Sequence, residues 1–481
     1  MRRAIVVVGC AALAAAACGR AGAATRRGDT VLYASGADLQ SINPLLTEHP
    51  LAKQVQRYVL LMTLVRYDSA LGIEPCLARH WSWSPDRSTL TFFLYQGLPW
   101  SDGRPTVAGD VVWTLDAARD PSVGYPRAAD VAAIAHVQGP DDSTVVIRFR
   151  TAQPRIPDVL TDLAILPAHL LAGVPRGRLR EAPWNDHPVG NGPFRFVTHE
   201  PHRRWVFARN AAFPRALGGP PRLERFIVVV VDDPMTKLAA LTSGELDVAG
   251  INPAHADFVR RNPALAVVTY PLIFVNGVVF NTRHAPFDDP AVRHAADLAI
   301  DRDEIIAGFL YGFGTRADGP VPAFLPGYVP TVSTPFAPDS ARALLAGRRP
   351  RIELLTVGSG EAALEQLVQA RLDAVGFDVA IRQLELSTYL DRVNGPRHEF
   401  DAAVMGIPGD VGLGYLTHVA EVAGVSASSD PARAQREFAA QAPVAWLYDA
   451  RGVQGMSRRL RGVTMDMRGE LVTIDRWWTA P

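Results

Sequence analysis

Few side chains in this 481-residue chain stand at spacings that could do chemistry. His199-Glu200-Pro201-His202 is one residue short of the His-Glu-x-x-His pattern that places two histidines on one helical face around zinc. Its proline also interrupts the helix such a site needs. Thr356-Val357-Gly358-Ser359-Gly360 lacks the Gly-x-Ser-x-Gly order of a hydrolase elbow. Gly312-Phe313-Gly314 and Gly412-Leu413-Gly414 lack a full dinucleotide fingerprint and follow no convincing strand. Cys76 has no activating neighbour in sequence, and His169, entering a helix, reads as a structural histidine. With no catalytic constellation, the expectation is a protein that binds rather than reacts, without metal or cofactor.

Composition narrows the class. Hydrophobic residues at 48% and charged residues at 20% describe an ordinary soluble globular protein. A formal net charge of zero lacks the basic footprint of a nucleic-acid binder. Lysine occurs only at Lys53 and Lys237, so the positive charge is almost all arginine. The length exceeds what one simple core supports and predicts two or three lobes.

The N-terminus reads as targeting rather than fold. Arg2 and Arg3 precede an apolar run, Ile5 to Ala17, which falls short of the roughly 20 residues needed to span a bilayer. Ala15-Ala16-Ala17-Cys18-Gly19 resembles a lipobox, with Ala15 where leucine is usual. Val7-Val8-Gly9-Cys10 fits the pattern better but leaves too little apolar chain ahead of it. The expectation is a signal peptide over 1–18, lipid on Cys18 and a tether over 19–29. The other reading is a plain cleaved secretory signal. Cys76 is then without a disulfide partner and should be a small buried apolar residue.

The elements that would position a site follow from periodicity. Alternating or continuous apolar runs predict strands at 30–35, 144–149, 226–231, 352–357 and 400–406, with a late strand at 445–448. Helices are expected at about 52–64, 234–242 and 362–375, the last closed by Gly376 ahead of a further strand, a βαβ unit. Val278-Val279-Phe280 ends a strand. Asp289-Pro290 then starts a helix over Val292, Ala295, Ala296 and Ala299, and Asp301 with Glu304 forms a capping box for the next.

Several of these blocks carry a resemblance. The order Asn281…Pro286-Phe287-Asp288…Val292-Arg293…Ala299-Ile300-Asp301-Arg302 resembles the extracytoplasmic solute-binding proteins of the peptide/nickel-binding family, which feed ATP-driven importers. Pro75 to Ala78, Trp81 to Asp86, Trp100-Ser101-Asp102-Gly103, Pro167-Ala168-His169, Pro188 to Phe194 and Ser243 to Asp247 are similar to further family segments in the same order. The resemblance covers about residues 30 to 460. It implies a two-lobed α/β fold with mixed sheets, a hinge crossover and an extra subdomain on the first lobe. Lobe I would take 30–52, 183–272 and 445–481, the extra subdomain 53–182, and lobe II 273–444. Crossovers would lie near Pro271–Phe274 and Pro443–Trp446.

What the family binds and where is likewise only implied. Its dipeptide-binding members hold the peptide's α-ammonium with an aspartate just after a Met-Gly strand, the position of Asp410. The alternative for Asp410 is a turn or helix cap. The arginine that anchors the peptide carboxylate is missing, since Glu361, Ala362 and Ala363 occupy that turn. Met405, Gly406, Ile407 and Gly409 would line the cleft through their backbone. Gly36 and Ala37 would face it from the first lobe, and Phe274 and Asn276 near the hinge. Expected partners are a peptide, a permease, an ATPase and, through lipid alone, the outer face of the cytoplasmic membrane, with the chain a monomer and no nucleic acid bound. A nickel chelate, haem or oligosaccharide as cargo, or a sensor or envelope-chaperone role, are the other readings.

Overall fold

The computed structural model describes residues 28–47, 49–358 and 360–480, so the signal segment and Cys18 lie outside the described residues. Two unusually long strands dominate it, Leu265–Phe280 and Val444–Ser457. They pair antiparallel from Leu265 opposite Ser457 to Val279 opposite Val444, with register shifts between Pro271 and Val275 and between Asn276 and Gly277. Pro271 has no N–H to give to the ladder, which suits it to the edge of such a break.

Each lobe builds on one half of this pair. The first-lobe half of Val444–Ser457 takes Val248–Gly250, followed outward by Thr30–Ser35, Arg225–Val230, Arg204–Arg209 and Phe194–Glu200. The second-lobe half of Leu265–Phe280 takes Ala402–Pro408, then Arg351–Val357 and Asp378–Leu384. One mixed sheet therefore runs through both lobes. In the second lobe Val278, Phe280, Ala445 and Leu447 bury against the helices of one face. Val275, Val279, Val444 and Trp446 bury on the other. Burial on both faces explains why these strands read as continuous apolar runs. Gly376, at φ +115°, ends the helix Ala363–Val375 in a conformation other residues rarely adopt.

The extra subdomain is a four-stranded antiparallel sheet in the order Ala78–Trp83, Thr89–Leu94, Thr144–Phe149, Ile134–Asp141, covered by the helix Ala108–Arg119. Its core is continuous with that of the first lobe, where Leu460, Leu471, Ile474 and Trp477 also return. Cys76 is buried there, as expected, and burial raises its thiol pKa. Asp110 accepts from the Trp100 indole and the Val107 and Ala168 amides. His169 contacts Asp102 at 2.7 Å.

Three expectations need correction. The helix expected over 52–64 runs Pro50–Gln54 and then as a π-helix to Leu60. The chain leaves the helix at Leu61, which is extended (φ −124°, ψ 177°), and the Leu60 carbonyl accepts from the distant Gly192 amide at 2.8 Å. Asp301 caps its helix through the Asp303 and Glu304 amides, but Glu304 turns away to Arg371 at 2.6 Å, so the reciprocal half of the capping box is absent. The late strand is also longer than expected. Ala445, Leu447 and Tyr448 pack among the second-lobe helices, so this strand changes lobe between Asp449 and Gly452 rather than at Pro443–Trp446.

Arg302, of the Ile300-Asp301-Arg302 segment, has 2% of its side chain exposed and pairs with the buried Asp297. It also donates to the carbonyls of Trp446, Asp297 and Ile300. It thereby ties the helices of this block to the second crossing strand. Arg302→Ala would leave the buried Asp297 carboxylate without its cation, with only the Thr334 hydroxyl as donor, and would remove the side-chain donor to the Trp446 carbonyl. The expected loss is about 3–5 kcal/mol, read as a fall in the urea midpoint of the second lobe; a midpoint unchanged from wild type would contradict the clamp.

Candidate ligand-binding site between the lobes

Strands of both lobes end toward the place where the crossing strands change partners. In the first lobe Thr30–Ser35 runs parallel to Arg225–Val230 and Val248–Gly250. In the second, Ala402–Pro408 runs parallel to Arg351–Val357. Open α/β sheets bind ligands beyond such carboxyl ends. Gly36 and Ala37 follow the first-lobe edge directly: the Ala37 amide donates to Ser35 Oγ at 3.3 Å, and a Cβ on Gly36 would meet Lys237 Nζ at 3.3 Å.

On the second-lobe edge, Phe274 and Asn276 lie over Gly406. A Cβ at Gly406 would fall 2.3 Å from the Phe274 ring and 3.4 Å from Asn276 Oδ1, so glycine is what lets the ring lie on this strand. Gly409 donates its amide to Ile273 at 3.0 Å and approaches the Tyr415 ring. Met405 is half-buried, whereas the Ile407 side chain is 3% exposed and belongs to the core, leaving only its backbone for a ligand.

Asp410 accepts from the amides of Gly414 and Tyr415, both at 3.2 Å, at the start of the helix Tyr415–Ala423. Each oxygen accepts one amide of the turn that leads into that helix, whose N-cap is Gly414, and has a further lone pair. Burial raises its pKa, the amides of Gly414, Tyr415 and Gly412 oppose that, and Asp158 adds to the rise.

Three groups at this interface carried no signal in sequence that singled them out. Asp158, from the extra subdomain, accepts from the Gly412 amide at 2.8 Å across the lobes, and from Arg155 and the Tyr67 hydroxyl within its own lobe. The 254 positions between Asp158 and Gly412 hide this contact from any local pattern. Glu470 accepts from the Tyr270 hydroxyl at 2.6 Å, and burial pushes its carboxyl up to about 7. Asp449 sits where the second crossing strand changes lobe, opposite Val275 and Thr315. It is 9% exposed, and its Oδ1 has no hydrogen-bond partner. Burial, and then the Asp318 carboxylate, push it up to about 7. A lone aspartate inside the run Val444 to Ala450 was the available clue.

Two lobes, crossing strands that pass through both, and strand ends converging on the junction define a binding-protein architecture. A profile for bacterial extracellular solute-binding proteins, family 5 (middle), matches residues 72–415. The chain belongs to that family. A Brucella ovis protein named for peptide binding in an ABC transporter is 32% identical over 366 residues, 72% of this chain and 67% of its own. Di/tripeptide-binding protein 2 of Pseudomonas aeruginosa is 30% identical over 395 residues, 75% of this chain and 72% of its own. In fold, this solute-binding protein is similar to the oligopeptide-binding protein AppA from Bacillus subtilis in complex with a nonapeptide. The TM-score is 0.78 and the identity 20%, over 94% of this chain and 99% of that one.

The two raised carboxylates make a prediction for the unliganded protein. In the unfolded chain Asp449 and Glu470 titrate near their ordinary values, 3.8 and 4.5, and in the folded chain near 7. The folded state therefore holds protons that the unfolded state releases between those values, and its stability falls as pH rises through about 7. The thermal midpoint should drop between pH 5 and pH 8. Glu470→Gln should flatten that slope, whereas a slope as steep as wild type would contradict it.

Proposed function

We propose that this solute-binding protein captures a short peptide between its lobes and hands it to the permease and ATPase of an ATP-driven importer. The observation that carries this reading is the backbone-lined edge from Met405 to Asp410, with the Phe274 ring held over Gly406. An extended peptide needs backbone donors and acceptors beside it, together with apolar walls and a few placed polar groups. The relatives named for di- and tripeptides support the same cargo.

Gly36, Ala37 and Asn276 would complete the cleft. Asp410 would take the peptide's α-ammonium on its open lone pairs while still accepting the Gly414 and Tyr415 amides, because a carboxylate accepts more than one hydrogen bond per oxygen. No arginine stands at 361–363, so the peptide carboxylate would need another donor. Ligand bridging the lobes favours the closed arrangement only to the extent that it binds that arrangement more tightly. The Asp158–Gly412 contact would then belong to the closed state.

The chain would be exported, with residues 1–18 removed, Cys18 lipidated and a monomeric body held at the outer face of the cytoplasmic membrane. Among the described residues no helix is long and apolar enough to cross a membrane. Residues 30–52 and 183–272 would form lobe I with the C-terminal return.

Native mass spectrometry of the form beginning at Gly19, before and after addition of a pool of di- to pentapeptides, tests the reading. A discrete bound peptide mass, with a length preference, is expected. No peptide retained at tens of micromolar would overturn peptide capture, and the missing arginine would then be the first place to look for the reason.

A further inference from the structure

Around Tyr415 the structure brings three carboxylates together. Asp410 holds its amide at 3.2 Å. Its hydroxyl donates to the Pro320 carbonyl at 2.6 Å, two residues beyond Asp318. Asp449 stands on the strand next to the one leading to Asp318, opposite Thr315. Asp318 acts on Asp449, and Asp410 and Asp449 each act on the Tyr415 phenol.

Their partners differ. Asp318 accepts from the Tyr328 hydroxyl at 2.5 Å, and Asp410 accepts from two amides. Asp449 has Oδ1 buried and unpartnered, although its residue is nine-tenths buried. Arg155 approaches the loop at Gly412, but it is already paired with Asp158. A buried carboxylate with no cation beside it and an oxygen left without a donor is costly, and its neutral form is favoured unless a positive charge arrives. Buried polar atoms without a partner are rare in native structures, and each calls for a reason.

We propose that Asp449, backed by Asp318, is a subsite for a positively charged side chain of the bound peptide, a lysyl ammonium or an arginyl guanidinium. The inference rests on the peptide reading above and names the class of peptide preferred. The cation would form a charge-assisted hydrogen bond with Oδ1, beside the point where the crossing strands change lobe. A neutral side chain of the same length would leave that oxygen unpartnered.

The test compares peptides that differ only in charge. Calorimetric titration of the mature chain with Ala-Lys and Lys-Ala is set against Ala-norleucine and norleucine-Ala, whose side chains lack the ammonium. At least one lysyl peptide should bind about tenfold or more tightly than its neutral counterpart, the scale of one hydrogen bond to a charged group. In Asp449→Asn that ratio should fall toward one. The same substitution should raise the thermal midpoint of the unliganded chain, because it removes a buried, unpaired acid. Equal affinities for charged and neutral peptides in the wild-type chain would overturn the subsite, without any need for the variant to fold. So would a lysyl preference that survives Asp449→Asn. Binding of neutral peptides alone would leave peptide capture standing and remove this subsite, whereas binding of none of the four would count against both.

Discussion

Everything in this molecule hangs on the hydrogen-bonded pair of crossing strands, Leu265–Phe280 and Val444–Ser457. Because both strands continue from one lobe into the other, neither lobe can be removed without breaking a ladder that the other also uses. The pairing is regular within each lobe and shifts register only around Pro271–Val275 and Asn276–Gly277. Flexing is cheapest where the ladder is already interrupted, so a hinge at this place follows from backbone hydrogen bonding alone. Phe274 and Asn276 fall inside that interruption, where movement between the lobes and contact with a ligand would be felt by the same residues.

Two buried aspartates show how charge is handled in the two kinds of surroundings. Asp162, in the extra subdomain, is largely buried, with 11% of its side chain exposed, and burial alone would raise its pKa. Arg57, Lys53 and Arg127 outweigh that and hold it well below the usual carboxylate range, with Lys53 Nζ at 2.7 Å. Asp449 is buried with no such cation and moves the other way, to about 7. The first arrangement is a finished ion cluster within one lobe. The second is an incomplete one at the junction of two. The contrast separates a group that stabilises the fold from one that waits for a partner.

How much of this was legible in the sequence depends on the range of each interaction. Asp289-Pro290 and Asp301 announced helix starts because a cap is a contact within three residues, and each does cap its helix. Glu304 went to Arg371 instead of back to its own helix end, a choice made by a residue 67 positions away. Helix and strand existence followed the hydrophobic pattern, while at the early stop the Leu60 carbonyl is taken by Gly192, a residue far along the chain. At the site, the turn after Met405-Gly406 was readable as a motif, and so was the alternative of a cap at Asp410. The Asp158 contact and the isolation of Asp449 were not, because an absent partner and a partner in another lobe leave no local trace. Sequence did carry one unused hint, a single acid inside the apolar run Val444 to Ala450.

The most direct test of lobe closure around a ligand is small-angle X-ray scattering of the purified chain with and without a saturating di- or tripeptide identified by its bound mass. Closure about the crossing strands predicts a smaller radius of gyration and a loss of long interatomic distances when the peptide is present. Superimposable scattering curves, obtained with peptide demonstrably bound, would contradict it and leave a rigid cleft in place of a hinge.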